Sequence, residues 1–185
     1  APWAPERKIT LKLSELKFDH AFQPRAGLAE ATVTDYAESI GRGAKLPPPA
    51  VLFDGDSYLL IDGFHRCEAH RRANAGKSDD EIEIEVACGG GDRRDALLYL
   101  VGANANHGLK RSNADKERAV QMLLADEEWG SRSDRWIAEK CHVSHPFVAR
   151  VRAESTGNIT SSRISRDGKE RPATQPATSS RLEEQ

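Results

Sequence analysis

Long apolar runs, clustered cysteines and an excess of basic charge are all missing from this sequence. No stretch approaches the roughly 18 apolar residues of a membrane-spanning helix, and the first residues, APWAPERKIT, lack the apolar core of a secretion signal. The three cysteines, Cys67, Cys88 and Cys141, form no Cys-x-x-Cys pair, which excludes a disulfide framework and a cysteine-rich zinc site. We therefore expect a cytoplasmic protein without a membrane partner.

The charge balance limits where a surface for nucleic acid can lie. The 185 residues include 27 Lys and Arg against 29 Asp and Glu, a formal net charge of −2. Residues 1–100 have 13 basic and 17 acidic side chains, whereas residues 101–185 have 14 and 12. If the chain binds DNA, its basic surface must therefore be local and formed by the second half.

Hydrophobic periodicity predicts a small α/β unit at the front of the chain. Alternating apolar and polar residues predict strands within residues 8–18 and 81–88. The Asp54-Gly55-Asp56 segment lies between two apolar runs and predicts a β-hairpin, because Asp-Gly favours the turns that join hairpin strands. The predicted helices of this unit cover residues 32–40, 67–75 and 92–103.

The second half of the chain is predicted to be helical and then disordered. The predicted helices cover residues 114–125, 134–141 and 145–153. Polar residues just ahead of a helical pattern are the expected caps: Thr32 or Thr34 in the front unit, and Asn113 and Ser133 here. Residues 154–185 lose the apolar periodicity and are rich in Ser, Thr, Arg and Pro, which predicts a flexible tail.

Residues 133–152 have the spacing of a helix-turn-helix, in which two short helices cross steeply. In this motif the first residues of the second helix, here Ser144 and His145, reach base edges in the major groove. His142 stands in the turn and must take a left-handed conformation there. The alternative is a helical pair that only packs on the α/β unit. Four arginines are expected to contact DNA: Arg132, Arg135, Arg150 and Arg152.

At Asp62-Gly63-Phe64-His65-Arg66 a strand runs through a glycine into a helix. Gly63 lets a ligand approach the backbone, and the helix start offers free N–H groups and the positive end of its dipole. His65 and Arg66 add side-chain donors for phosphate oxygens. Asp62 is expected to cap the helix or else to hold a magnesium ion. The pattern predicts a site for the phosphates of a nucleotide.

Three motifs between residues 11 and 152 resemble the ParB/sulfiredoxin superfamily followed by a ParB-type helix-turn-helix. Gln23-Pro24-Arg25 is similar to the first motif of the superfamily. The Asp62 to Arg66 segment lies where partition proteins have a Gly-Glu-Arg-Arg box, and residues 104–111 lie where they have a Glu-Asn-x-x-Arg box. The resemblance implies an α+β protein with three parts: a ParB/sulfiredoxin-like nucleotide-binding domain at 8–103, an all-helical helix-turn-helix domain at 104–153 and a disordered tail at 154–185.

The resemblance also implies a DNA-binding protein of plasmid partition or transcription regulation, controlled by a nucleotide. In partition proteins these boxes bind CTP and Mg²⁺. Carried over to this sequence, the triphosphate of CTP or ATP would lie on Gly63, His65 and Arg66, and the chain would be a candidate nucleoside triphosphatase. Phe64-His65 stands where CTP-binding members have Glu-Arg, which leaves the nucleotide open. The residues that would complete the pocket are Arg25, Asn104, Asn106 and Arg111.

Single residues indicate which other activities of the superfamily this sequence fits. Sulfiredoxins have a catalytic cysteine in a Gly-Cys-His-Arg motif, and Phe64 takes its place here, which excludes peroxiredoxin repair. Members with Asp-Gly-His-His-Arg phosphorylate a small hydroxyl compound such as free serine. Asp62, His65 and Arg66 fit that pattern, with Glu30 as the candidate base. A metal-dependent nuclease would need a carboxylate cluster, for which the candidates are Asp54, Asp56 and Asp62.

The expected partners are double-stranded DNA, a nucleotide and a second copy of the chain. Residues 155–185 are too polar to be expected to form the C-terminal dimerisation domain of a partition protein. A homodimer is therefore expected to form through the α/β unit or through the helices.

Overall fold

The computed structural model describes residues 3–19, 22–23, 27–103, 110–155, 162–164 and 168–172. The strands are β1 (Arg7–Lys12), β2 (Leu16–Lys17), β3 (Ala50–Phe53), β4 (Tyr58–Asp62), β5 (Glu83–Gly90), β6 (Ser162–Ile164) and β7 (Glu170–Pro172). The α-helices are α1 (Glu30–Gly41), α2 (Phe64–Ala73), α3 (Arg93–Ala103), α4 (Asn113–Ala125), α5 (Asp134–Cys141) and α6 (His145–Glu154). Short 3₁₀ turns cover Leu13–Glu15, Asp79–Glu81 and Trp129–Ser131.

The first five strands form one mixed sheet in the order β1-β5-β3-β4-β2. Strands β3 and β4 form the predicted antiparallel hairpin, while β5 pairs in parallel with β3 and antiparallel with β1. Strand β5 alternates between exposed glutamates and buried Ile84 and Val86, as expected for a strand with one buried face. Strand β4 lies between β3 and β2 and ends at Asp62, and this end of the strand leads directly into α2.

The buried side chains form three hydrophobic clusters, two of which are linked by α3. The first cluster lies between the sheet, the Leu13–Glu15 turn and α2, and includes Leu13, Leu60 and Val86. A second joins the sheet to α3 through Ile61 and Leu100. The third lies among α3, α4, α5 and α6. Helix α3 therefore packs on the sheet with one face and on the later helices with another, across the boundary expected at residue 103.

The expected caps are right at one helix and wrong at two. Ser133 caps α5, since its hydroxyl accepts from the Trp136 N–H at 3.3 Å. Helix α4 begins one residue earlier than expected, with Ser112 as the cap, whose hydroxyl accepts from the Asp115 N–H at 3.1 Å. Helix α1 begins at Glu30 with Ala29 as its cap residue, so neither Thr32 nor Thr34 has that role.

The expectation of a structureless tail is wrong for part of residues 154–185. Strands β6 and β7 pair as an antiparallel hairpin. Strand β6 also reaches back to the start of α5, where the Ser133 N–H donates to the Ile164 carbonyl at 2.8 Å. Backbone hydrogen bonds hold this hairpin, and such bonds do not require the regular spacing of apolar residues from which strands are predicted. In the described part of the chain, no helix has the length and apolar character that crossing a bilayer requires.

Candidate functional site

The turn between β4 and α2 depends on a glycine. Gly63 adopts φ 108°, in the left-handed region that residues with a side chain rarely take. A Cβ atom at this position would lie 2.8 Å from the Cβ atom of Pro49. Gly63 is also the cap residue of α2 and has no side chain to accept from the first-turn amides. The start of α2 thus has the positive dipole end that favours an anion.

Arg66 lies in the first turn of α2, with its guanidinium engaged by neighbouring groups. One nitrogen, Nη2, forms an ion pair with Oδ2 of Asp62 at 2.8 Å. The other, Nη1, donates to the carbonyls of Pro47 and Pro48 at 2.7 and 3.0 Å. Asp62 therefore binds the Arg66 side chain. A phosphate would have to compete with this carboxylate for Arg66.

His65 is buried and joins α2 to the start of α1. Its Nε2 accepts from the Ala29 N–H at 2.9 Å. A second link between these helices is the bidentate ion pair of Arg72 with Glu30. The hydrogen bond from Arg72 lowers the pKa of the Glu30 carboxyl, which makes it a weaker base. Both contacts give the predicted site residues a role in holding α1 against α2.

Two of the three acidic residues proposed for metal binding are engaged in other contacts. Asp54 accepts from the N–H groups of Ser57 and Asp56 at 2.9 and 3.1 Å, inside the β3–β4 turn. These hydrogen bonds, the one from Ser57 first, lower the pKa of Asp54. Asp62 is paired with Arg66. The described residues contain no group of three or more potential ligands that could hold a metal ion.

The remaining predicted phosphate ligands are Arg111 in the described part of the chain, and Arg25, Asn104 and Asn106 outside it. Arg111 donates to the Val101 carbonyl at 3.2 Å and to the Cys141 carbonyl at 2.8 Å. These carbonyls lie at the ends of α3 and α5, where free acceptors and negative dipole ends favour a cation. Arg111 thus ties two helix ends together.

Helices α5 and α6 meet at a three-residue turn. His142 has φ 51° and ψ 52°, the left-handed conformation expected from the sequence. Both helices bury one face in the same cluster, and the residues that do so include Ile137, Cys141, Val148 and Val151. Ser144 and His145, at the start of α6, are exposed. The pair thus presents the beginning of its second helix to solvent.

The arginines around this pair differ in what they contact. Arg135 is exposed and has no ion-pair partner among the residues that the structure describes. Arg150 is 48% exposed and pairs with Glu154 at 2.8 Å across one turn of α6. Arg152 is only 11% exposed, and its Nε donates to Oδ1 of Asp134 at 2.8 Å.

Arg152 is therefore a structural residue of this pair, contrary to its expected contact with DNA. Its two remaining nitrogens donate to the carbonyls of Gly130 and Arg132 at 2.8 and 2.9 Å. These bonds and the ion pair fix the start of α5 to the end of α6. All three guanidinium nitrogens thus donate to groups of the protein itself.

Two tryptophans, Trp129 and Trp136, form a cation-binding stack beside α5. The rings of Trp129 and Trp136 are stacked, with centroids 5.2 Å apart. The Arg132 guanidinium lies 5.4 Å from the Trp136 centroid, and Lys140 Nζ lies 5.5 Å from it. The face of an indole ring attracts a cation. Arg132 is thereby held on the protein surface, and Lys140 joins the basic residues of α5.

A groove of about 470 Å³ between α3 and α4 is a further feature that the sequence did not predict. Its apolar walls include Leu97 and Met122, and its rim has three arginines. All three have acidic or carbonyl partners: Arg93 with Asp19, Arg94 with Asp126, and Arg118 with the Gln23 carbonyl. The arginines therefore hold the 22–23 segment and the end of α4 in place.

All three cysteine side chains are buried. Burial raises the pKa of Cys67 and of Cys141 to about 12, and it raises the pKa of Cys88 as well. Thiols of this kind stay protonated near neutral pH and are poor nucleophiles. This agrees with the absence of a cysteine at position 64 and gives no support to thiol chemistry at the β4–α2 turn.

No protein-family model matches the sequence, and the comparison with curated proteins gives no significant match. Among solved structures, the C222₁ form of a pNOB8-like ParB N-domain matches with a TM-score of 0.55 at 13% identity, covering 80% of this chain and 70% of that one. Two C-terminally truncated ParB structures from Caulobacter crescentus match with TM-scores of 0.47 at 19% identity.

The Caulobacter structure with CTP-γ-S aligns over 79% of this chain and 77% of its own, and the one with the centromeric parS site over 77% and 69%. At such identities a likeness establishes the fold alone. The match to the pNOB8-like domain, whose TM-score exceeds 0.5, is the one on which that conclusion depends.

Proposed function

We propose that this chain, which has the fold of a ParB N-terminal domain, binds duplex DNA through a helix-turn-helix formed by α5 and α6. A nucleoside triphosphate at the β4–α2 turn would control it, in plasmid partition or in transcription regulation. The observation that supports DNA binding most strongly is the exposed start of α6, at Ser144 and His145, on a pair whose opposite faces are buried. A helix that enters the major groove reads bases from this end.

The charge around α5 and α6 supports the same proposal. Arg135, Lys140 and Arg150 lie on this pair, and Arg132 precedes it. Phosphate contacts by such residues fix the position of a protein on DNA and do not read sequence. We propose that Arg132, Arg135, Lys140 and Arg150 contact phosphates, while Ser144 and His145 reach base edges. Arg152 is left out because Asp134 and two backbone carbonyls already engage its guanidinium.

DNA binding is tested by the anisotropy of a labelled duplex titrated at several salt concentrations. Each phosphate contact adds about 0.9 to the slope of log affinity against log salt. Replacing exposed Arg135 by glutamine should lower the slope by about that amount. Arg42→Gln, an exposed arginine at the end of α1, is the matched control and should leave the slope unchanged. An anisotropy that stays flat at low salt with micromolar protein contradicts the proposal.

The nucleotide part of the proposal is supported by Gly63 and Arg66 at the start of α2. A glycine cap, the positive end of a helix dipole and a nearby guanidinium suit a triphosphate accompanied by Mg²⁺. In the proposed complex the phosphates take Arg66 from Asp62. We further propose that nucleotide binding promotes a homodimer, and that CTP and ATP are the first nucleotides to test.

Competition between Asp62 and phosphate makes this part testable by calorimetry with CTP, ATP and GTP. Arg66→Gln should weaken nucleotide binding. Asp62→Asn should strengthen it several-fold, because the carboxylate no longer competes for Arg66. Asp56→Asn, in the β3–β4 turn, is the control for loss of one negative charge. Equal affinity of the Asp62→Asn and Asp56→Asn variants, or no binding of any of the three nucleotides, contradicts the nucleotide site.

A further inference from the structure

Helix α3 brings an aromatic side chain to the turn between β4 and α2. Tyr99 of α3 packs against the cluster that joins this helix to the sheet, and the cluster contains Ile61, which immediately precedes Asp62 on β4. Asp62 and its partner Arg66 are partly buried beside the same turn. The end of β4, the start of α2 and one face of α3 therefore meet beside the proposed phosphate site.

The ring of Tyr99 is held in position by Trp3. The two rings meet edge to face, with centroids 4.9 Å apart and an angle of 80° between their planes. This is a favoured arrangement of aromatic rings. Trp3 is only 6% exposed and belongs to the same cluster, so it forms a close-packed wall for the ring. The phenol is therefore fixed in direction before any ligand arrives.

The Tyr99 hydroxyl lies within electrostatic range of the ion pair at the turn. Burial raises the pKa of Tyr99, the Asp62 carboxylate raises this pKa further, and the Arg66 guanidinium lowers it. Tyr99 therefore stays protonated near neutral pH and keeps its O–H as a hydrogen-bond donor. Tyr99 is half-buried, and none of the residues that the structure describes forms a hydrogen bond with its hydroxyl.

A phenol O–H and a guanidinium beside the start of one helix are complementary to a phosphate group, whose oxygens all accept hydrogen bonds. We propose that Tyr99 is a further phosphate-binding residue of the nucleotide site, and that its hydroxyl donates to a phosphate oxygen beside Arg66. This inference rests on the proposed function. Because α3 also packs on the later helices, such a phosphate contacts the element that joins the front unit to α5 and α6.

Calorimetry with inorganic triphosphate and Mg²⁺ tests this contact on the full chain, because the probe offers phosphates without a base or a sugar. Tyr99→Phe removes the hydroxyl and leaves the ring against Trp3. It should weaken binding about 10-fold, since a hydrogen bond to a charged group is lost. Tyr58→Phe removes a phenol hydroxyl at the other end of β4, where Tyr58 packs on Phe53, and should keep the wild-type affinity. Both variants should keep the wild-type thermal midpoint.

The outcomes separate this inference from the function on which it rests. Equal affinities of the wild-type chain and the Tyr99→Phe variant overturn the role of Tyr99 and leave Gly63 and Arg66 as the site. An equal loss in the Tyr58→Phe variant overturns it too, because the effect is then not local to the turn. A wild-type chain that does not bind inorganic triphosphate also overturns it, while the titrations with CTP, ATP and GTP decide the nucleotide site independently.

Discussion

At the scale of single residues, Gly63 is the position of the candidate site where a substitution should destabilise the fold most. It combines φ 108° with a neighbour, Pro49, that a side chain would meet. Gly63→Ala should lower the free energy of unfolding by about 2–4 kcal/mol, from backbone strain and overpacking together. Gly43→Ala measures the backbone strain alone, because Gly43 has φ 84° and an added Cβ atom would meet nothing within 4 Å. It should lower the free energy of unfolding by about 1 kcal/mol. Urea denaturation measures both, and equal losses would show that Pro49 moves aside.

Arg150 and Arg152 lie two residues apart on α6, and their substitution should have different effects. Loss of Arg152 should lower the stability of the fold, whereas loss of Arg150 should weaken DNA binding. Arg152→Ala breaks a largely buried ion pair and two carbonyl contacts, and should lower the free energy of unfolding by about 2–4 kcal/mol. Arg150→Ala breaks exposed ion pairs with Glu154 and Glu117 and should leave the free energy of unfolding close to the wild-type value. In DNA titrations, only Arg150→Ala should weaken binding while the fold keeps its stability. Similar thermal midpoints for the two variants would contradict this division.

At the scale of secondary structure, the turn between α5 and α6 holds a histidine where glycine is less strained. His142 is the only non-glycine residue with positive φ in the described part of the chain. His142→Gly should raise the free energy of unfolding by about 0.5–1 kcal/mol, because relief of strain exceeds the added entropy of the unfolded chain. DNA affinity should not change, since the turn keeps its geometry. A lower thermal midpoint would show that the imidazole makes a contact that stabilises the fold by more than the backbone strain destabilises it.

The elements with strong periodicity were predictable from the sequence, and their tertiary partners were not. The hairpin of β3 and β4, strand β5 and helices α3 to α6 lie within a few residues of the expected positions. Hydrophobic spacing encodes these elements directly. The beginnings of α1 and α4 were misplaced because several Ser, Thr and Asn residues stood close enough to serve as caps.

The side-chain partners of the candidate site depend on contacts between elements distant in sequence. Arg66 reaches the carbonyls of Pro47 and Pro48, and Arg111 reaches the end of α5. A motif shows that a guanidinium is present but not which oxygen it meets in the folded chain. For the same reason, the attachment of Ile164 to Ser133 was invisible in a polar, aperiodic segment.

At the scale of the whole molecule, α3 should make the front unit and the later helices unfold together. Leu100 of α3 packs in the cluster with the sheet, and its neighbour Val101 packs in the helical cluster. Leu100→Ala should lower the free energy of unfolding by about 2–4 kcal/mol. Trp3 lies in the sheet cluster, whereas Trp129 and Trp136 pack on the helical one. Fluorescence and far-UV circular dichroism should therefore give coincident urea transitions, and separate transitions would contradict a shared core.

NMR can show whether the exposed start of α6 meets DNA. A ¹⁵N-labelled chain is titrated with a duplex of about 20 base pairs at low salt, and amide shifts are followed residue by residue. We expect the largest shifts at Ser144, His145, Phe147 and Val148 and in the first turn of α5, with small shifts along β5. Shifts concentrated on β5 and α1, with α6 unchanged at saturating DNA, would contradict it.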